Sequence, residues 1–187
     1  MCHASCLAFG KIALTKREIQ GKRVLEVGSR DVNGSLRPAI ELWKPAEYIG
    51  IDIRAGRGVD LVCDANDLVE RFGRGQFDVV ICTELFEHVE DWRNVISNIK
   101  QVCLPGGIIL ITTRSFGFPR HAYPCDFWRF ELSDIEYIFA DCDILLLQKD
   151  KDKRFPGVFL KARKPNNFIE RDLSNHKLYS MISGTRE

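Results

Sequence analysis

No stretch of this 187-residue chain approaches the ~20 apolar residues in a row that a membrane-spanning helix needs. The N-terminus has no basic segment followed by a long apolar run, so no signal peptide is expected. An excess of charge of one sign is missing too: 27 Lys and Arg stand against 26 Asp and Glu, a formal net charge of +1. General binding to nucleic acid or to an anionic membrane needs a basic surplus that is not there, although a local patch touching a small RNA stays open. Internal repeats and low-complexity segments are absent. What remains, 45% hydrophobic and 28% charged residues, describes a soluble globular chain long enough for one core and short for two. The cytoplasm is the expected compartment.

The seven cysteines, at positions 2, 6, 63, 82, 103, 125 and 142, are odd in number and scattered. Several sit in apolar runs, Cys82 and Cys103 among them, and read as small buried hydrophobes with free thiols. Cys2-His3-Ala4-Ser5-Cys6 is a weak metal signal, because structural zinc takes four ligands and no second pair follows.

Apolar spacing predicts a helix over 4–20, halted by Gly21. Five strands are expected at 23–28, 47–53, 60–63, 77–83 and 108–113. Helices are expected at 35–43, at 65–72 and at 85–104, the last closed by Pro105-Gly106-Gly107. A further helix over 133–139 has a capping-box start in Ser133 and Glu136. Runs 143–148 and 157–162 look like a final antiparallel pair. The chain divides into an N-terminal helix (1–21), a core (22–162) and a polar, aperiodic tail (163–187) with faint apolar spacing near Leu178 and Ile182. The tail reads as flexible or as an arm for a homodimer or partner chain.

Strands alternating with helices imply an α/β doubly wound sheet. The strands near 24, 80 and 110 are apolar without alternation, so both their faces should be covered. Ligands in such sheets bind beyond the carboxyl ends of the strands. The residues just after each strand are therefore the candidates.

After the first strand, Gly28 allows close backbone approach, and Asn33-Gly34 is a turn pair. Arg30 stands where the dinucleotide fingerprint GxGxxG has its second glycine, so that fingerprint is absent. Asp52 ends the second strand 24 residues beyond Gly28, near the spacing of an acid that accepts both hydroxyls of a ribose. An exposed strand-end acid is the plain alternative. Asp64-Ala65 follows the third strand: the acid suits an adenine amine, and equally a helix cap. Glu84, Glu87 and His88 follow the fourth strand at i, i+3 and i+4, which a helix would place on one side.

Taken in order, VLEVGSRDVNG, YIGIDI, CDA, FDVVICTELFEHVEDW and LPGGIILITT resemble the class I S-adenosylmethionine-dependent methyltransferases. The likeness is to the type 11-like group that includes ubiquinone-biosynthesis O-methyltransferases, and it runs over roughly 22–162. It implies a Rossmann-like seven-stranded sheet, mostly parallel with one antiparallel strand, in a single domain. It further implies S-adenosyl-L-methionine as cofactor, bound by Glu26, Gly28, Ser29 and Arg30 of the first loop. Asp52 and Ile53 would hold the ribose, Asp64 and Ala65 the adenine, and Thr83 and Glu84 the methionine part. Arg30 and Val32 replace two glycines of the family loop, which a cofactor without pyrophosphate tolerates.

Segment 114–130 (RSFGFPRHAYPCDFWRF) follows the fifth strand with six aromatics, three arginines and His121. It reads as a pocket wall for a planar or anionic substrate, or as a hydrophobic lid packing on its own core. His88 and His121 are the candidate catalytic bases for a hydroxyl acceptor. Glu84-x-x-Glu87-His88 with His121 is also similar to the small-RNA 2′-O-methyltransferases, where two Glu and two His hold a divalent ion. A metal-free site is the expectation here. The resemblance thus implies methyl transfer to a small molecule, with oxygen the expected acceptor atom. The alternatives are a non-catalytic S-adenosylmethionine-binding subunit and a nicotinamide-dependent oxidoreductase.

Overall fold

The computed structural model describes residues 4–121 and 125–187. Cys2 and His3 of the N-terminal Cys-His pair, and Tyr123 and Pro124 of the aromatic segment, lie outside the described residues. In chain order the elements are α1 (Ala4–Ala13), α2 (Lys16–Ile19), β1 (Arg23–Val27), α3 (Arg37–Glu41), β2 (Glu47–Asp52) and β3 (Leu61–Val62). They continue with α4 (Leu68–Phe72), β4 (Phe77–Thr83), α5 (Trp92–Val102), β5 (Cys103–Arg114), β6 (Trp128–Arg129), α6 (Leu132–Ile138), β7 (Asp143–Lys149), β8 (Gly157–Arg163) and β9 (Tyr179–Ser180). Seven strands form one sheet in the order β3-β2-β1-β4-β5-β8-β7, and β6 pairs with β9 in a small second sheet.

The pairs from β3 to β5 are parallel, and β8 runs antiparallel to both β5 and β7. The expected mostly parallel sheet with one antiparallel strand is therefore the observed one. The absence of alternation in the central strands has a direct reading: their successive side chains feed two separate cores. Leu25 and Val27 of β1, Val80 and Cys82 of β4, and Ile109 and Ile111 of β5 pack with α5 and α6. Val24, Val79, Ile81, Ile108 and Leu110 pack on the opposite face with Phe9 of α1 and Ile40 of α3. Cys6, Cys82, Cys103 and Cys142 are buried free thiols. No helix among the described residues is long and apolar enough to cross a membrane.

Local chemistry moved several boundaries. The single N-terminal helix breaks at Thr15, whose backbone N–H donates to Glu18 at 2.9 Å, a capping box hidden inside an apolar pattern. The long helix expected from residue 85 does not start there. A 3₁₀ turn spans Phe86–His88, and α5 begins only after Asp91, which caps it by accepting the Asn94 N–H at 3.0 Å. Glu84, Glu87 and His88 are thus gathered by a tight turn and not by one helix face. Helix α6 is capped by Glu131 and Asp134, two residues earlier than Ser133 and Glu136. Pro105-Gly106-Gly107 belongs to the irregular start of β5, where the register against β4 shifts. Segment 163–187 is not a loose tail: Leu173 and Leu178 are buried in the α5–α6 core, and β9 adds to β6.

Candidate functional site

The strand order reverses between β1 and β4, and a cleft of about 940 Å³, mouth included, opens at their carboxyl ends. This is the position such sheets reserve for ligands. Gly28, Arg30, Asp52, Ile53, Asp64, Ala65, Thr83, Glu84 and His88 all line it. The loop after β1 is folded back onto β2, because the Gly28 and Ser29 N–H groups both donate to Ile51 O, at 2.9 and 2.8 Å. Gly28 takes φ +78°, and a β-carbon there would meet Leu85 at 3.3 Å. Arg30 lays its stem over Gly56.

Two expected ligand residues do not reach the cleft. Ser29 is buried, its hydroxyl against Gly50, where a β-carbon would come within 2.7 Å. Glu26 alternates with Leu25 and Val27 and so falls on the α1–α3 face, where it accepts a 2.8 Å hydrogen bond from the Tyr48 hydroxyl. Burial pushes its carboxyl up to about 7, with Tyr48 and Arg37 offsetting part of the rise. Glu26 is turned away by strand alternation and Ser29 by the fold of the loop onto β2, so neither lines the cleft.

Asp52 stands at the lip, its Oδ1 accepting the Arg54 N–H at 3.0 Å. Asp64 Oδ1 accepts both the backbone and side-chain N–H of Asn66 at 2.9 Å, so it caps the turn that follows while facing the cleft. The cap is observed, and the same acid lines the cleft. Val32, Arg54, Cys63 and Val89 also line the cleft. Each is a strand-end or loop neighbour of an expected residue, and that proximity was the available signal.

At the inner end lies a buried charge cluster. Glu84 has a positive φ of 55° and pairs with Arg114 of β5. Burial, with the Glu87 carboxylate beside it, pushes Glu84 up to about 7 against the pull of Arg114. Glu87 accepts the Thr113 hydroxyl at 2.8 Å. Burial works to raise the Glu87 carboxyl, but His88, a backbone hydrogen bond and the Arg114 charge together hold the group below its ordinary value.

The structure brings the two candidate histidines together. His88 Nε2 and His121 Nε2 are 3.1 Å apart, with their rings edge to face. His88 Nδ1 faces the Cys125 carbonyl, so that nitrogen carries the proton and Nε2 is the acceptor in the neutral ring. His121 Nε2–H then donates to it, while His121 Nδ1 lies 3.1 Å from Asp126 Oδ2. Asp126 is buried, yet the guanidinium of Arg129 and the contact with His121 hold its carboxyl far below the usual range. Glu87, His88 and His121 each offer a donor atom within a 4.8 Å span, a set that suits a divalent cation; Glu84, turned to Arg114, is not part of it.

Segment 114–130 divides between wall and core. Phe130 is fully buried, and Phe118 lies edge-on to His121 with the Arg114 guanidinium 4.4 Å from its ring centre. Arg114 and Arg129 are committed to Glu84 and Asp126, so the arginines expected to grip an anionic substrate reduce to the exposed Arg120.

A family model described as a methyltransferase domain matches residues 4–145. The ubiquinone biosynthesis O-methyltransferase of Idiomarina loihiensis is 29% identical over 106 residues, which cover 50% of this chain and 42% of that protein. The chain therefore spans less than half the length of that relative. Burkholderia thailandensis 1,6-didemethyltoxoflavin-N1-methyltransferase, solved with 1,6-didemethyltoxoflavin and S-adenosylhomocysteine, superposes with a TM-score of 0.66 at 13% identity, covering 86% of this chain and 78% of that one. An S-adenosylmethionine-dependent methyltransferase from Mesorhizobium loti gives 0.65 at 15% identity, covering 86% and 98%. At such identities the likeness concerns the fold.

The buried acid outside the cleft has a measurable signature. Glu26 titrates near 4.5 unfolded and near 7 folded, so its favourable contribution is complete below about 4.5 and is lost as pH rises through 7. Glu26→Gln keeps an acceptor for Tyr48 without the charge. Urea unfolding should show the variant equal to the parent at pH 4.5 and more stable by about 1–3 kcal/mol at pH 8; an equal difference at both pH values contradicts the assignment.

Proposed function

The chain belongs to the methyltransferase-domain family of class I S-adenosylmethionine-dependent enzymes, and from that membership we propose that it transfers a methyl group from S-adenosyl-L-methionine to a hydroxyl of a small-molecule acceptor. The observation that carries the reading is one continuous cleft with Asp52 and Asp64 at one end and His88, in contact with His121, at the other. The Asp52 carboxylate suits vicinal ribose hydroxyls, Asp64 with the small Ala65 suits the adenine edge, and Gly28 with Thr83 leaves room for the methionine part. When bound, the cofactor supplies an electrophilic methyl group on a sulfonium.

The remaining work falls to the chain. The cleft walls hold the acceptor in line at contact distance and exclude water, which can supply much of the rate enhancement. His88 Nε2 gives up its contact with His121 Nε2 and takes the hydroxyl proton, and the buried Glu87 carboxylate beside it balances the charge on the ring. The O-methyltransferase relative supports oxygen as the acceptor atom and a small molecule as the substrate.

A second reading is favoured by the convergence of Glu87, His88 and His121. Glu87 Oε1 is buried without a hydrogen-bond partner among the described residues and lies 3.8 Å from His88 Nε2. Mixed oxygen and nitrogen donors suit a divalent ion, which would acidify an acceptor hydroxyl held beside it.

Three results test these readings. Asp52→Ala should weaken S-adenosylmethionine binding at least tenfold by calorimetry, as the loss of a charged hydrogen bond costs about 1.5–3 kcal/mol; unchanged affinity removes the ribose assignment. Incubation with methyl-labelled cofactor and metabolite extracts should label a small molecule, and His88→Ala should cut that rate by roughly 10²–10⁴-fold. Cofactor binding without turnover on any extract would favour a non-catalytic binding subunit. Full activity after chelator treatment and desalting decides for proton transfer to His88, and activity restored only by a divalent ion decides for the metal.

A further inference from the structure

We propose that the C-terminal segment 172–187 is a clamp that positions His88 and His121, with Arg186 and the Met181 backbone as its positioning residues. The proposal deepens the function given above and rests on it for the role of the two histidines. The family match ends at residue 145, before this segment begins.

The clamp acts through the short run Cys125–Arg129, which lies between it and the turn that carries His88. On one side of the run, the Phe127 N–H donates to Glu87 O at 2.7 Å and the Trp128 indole N–H donates to Val89 O at 2.9 Å. On the other side, the Met181 N–H donates to Phe127 O at 2.7 Å, and β9 pairs with β6. Phe127 is thus tied to Glu87 through its nitrogen and to the C-terminal segment through its oxygen. The residues next to it do the orienting: Cys125 O receives His88 Nδ1–H, and Asp126 holds His121. A run of five residues cannot fix two imidazoles unless its other edge is fixed as well.

That outer edge is built firmly. The segment closes on itself through Leu178 N–H to Glu187 O at 3.1 Å and Glu187 N–H to Leu178 O at 2.9 Å. It is anchored at Asp134 of α6, 1% exposed, which receives both His176 Nε2 at 3.1 Å and the Arg186 guanidinium. Arg93 of α5 adds a 3.0 Å bond to Leu173 O. The cofactor-side acids stand apart: Asp52 and Asp64 follow β2 and β3, beyond β4 and β1 in the sheet order. Loosening the clamp should therefore disturb the histidines and spare cofactor binding.

The test pairs Arg186→Ala with Met181→Pro, which deletes the one N–H that reaches Phe127. Imidazole ¹⁵N spectra of the full chain should show the His88 and His121 resonances shifted or broadened in both variants, with affinity for S-adenosylhomocysteine within twofold of the parent. In labelled-methyl assays kcat should fall at least tenfold, and Arg186→Lys should recover most of it. Unchanged His88 and His121 resonances in both variants overturn the clamp, as does a loss of cofactor affinity in proportion to kcat. Shifted resonances in a parent protein that methylates nothing would uphold the clamp and reject the proposed function.

Discussion

Glu84 and Glu87 are buried within one turn of each other at the end of β4, and the rest of the site is organised around keeping them there. Removing a carboxylate from water costs several kcal/mol unless charge and hydrogen bonds replace the lost hydration. Arg114 meets Glu84 from β5, Thr113 and His88 meet Glu87, and Phe127 closes on the Glu87 carbonyl. These partners come from three stretches of chain: β5 for Thr113 and Arg114, the 3₁₀ turn for His88, and the run Cys125–Arg129 for Phe127. The two acids therefore lock the ends of β4 and β5, the 3₁₀ turn and the segment beyond residue 114 into one arrangement. Breaking the Arg114 pair by truncation would leave an uncompensated buried charge, the costly case for such bridges.

The same cluster divides the cleft into two functional ends. The outer end, from Gly28 to Asp64, is made of loops that follow parallel strands and is fixed by the sheet itself. The inner end depends on contacts between segments far apart in sequence, from Glu87 to Met181. In the proposed reading, cofactor recognition and acceptor activation therefore rest on different parts of the fold. The compact acceptor side, with Phe118 against His121 and two of its three arginines internally paired, leaves Arg120 as the free cation of that wall among the described residues.

The sheet and the outer end were legible in the sequence because they rest on local signals. Unalternating apolar strands, a glycine after β1 and acids after β2 and β3 each fall within a few residues of the feature they report. Glu26 and Ser29 misled because a loop motif does not say which face of a strand a side chain takes. The helix expected through His88 failed on Asp91, a cap that competes with the apolar pattern on either side of it. Asp126, Arg129 and the C-terminal clamp were not legible at all. Asp126 and Arg129 pair three positions apart in an irregular segment, and the clamp exists only once residues 40 to 80 positions apart have met, as Arg93 meets Leu173 and Asp134 meets His176. The polar look of segment 163–187 came from residues that are satisfied by ion pairs and backbone bonds against the core.

In the proposed reading, one cleft holds the cofactor at its outer end and presents it to His88 at its inner end. A crystal structure grown with S-adenosylhomocysteine tests this most directly. The account predicts ribose hydroxyls on Asp52, the adenine against Asp64 and Ala65, and the sulfur pointing toward His88. Ligand density elsewhere on the molecule, or a bound molecule whose sulfur lies away from His88, would contradict it.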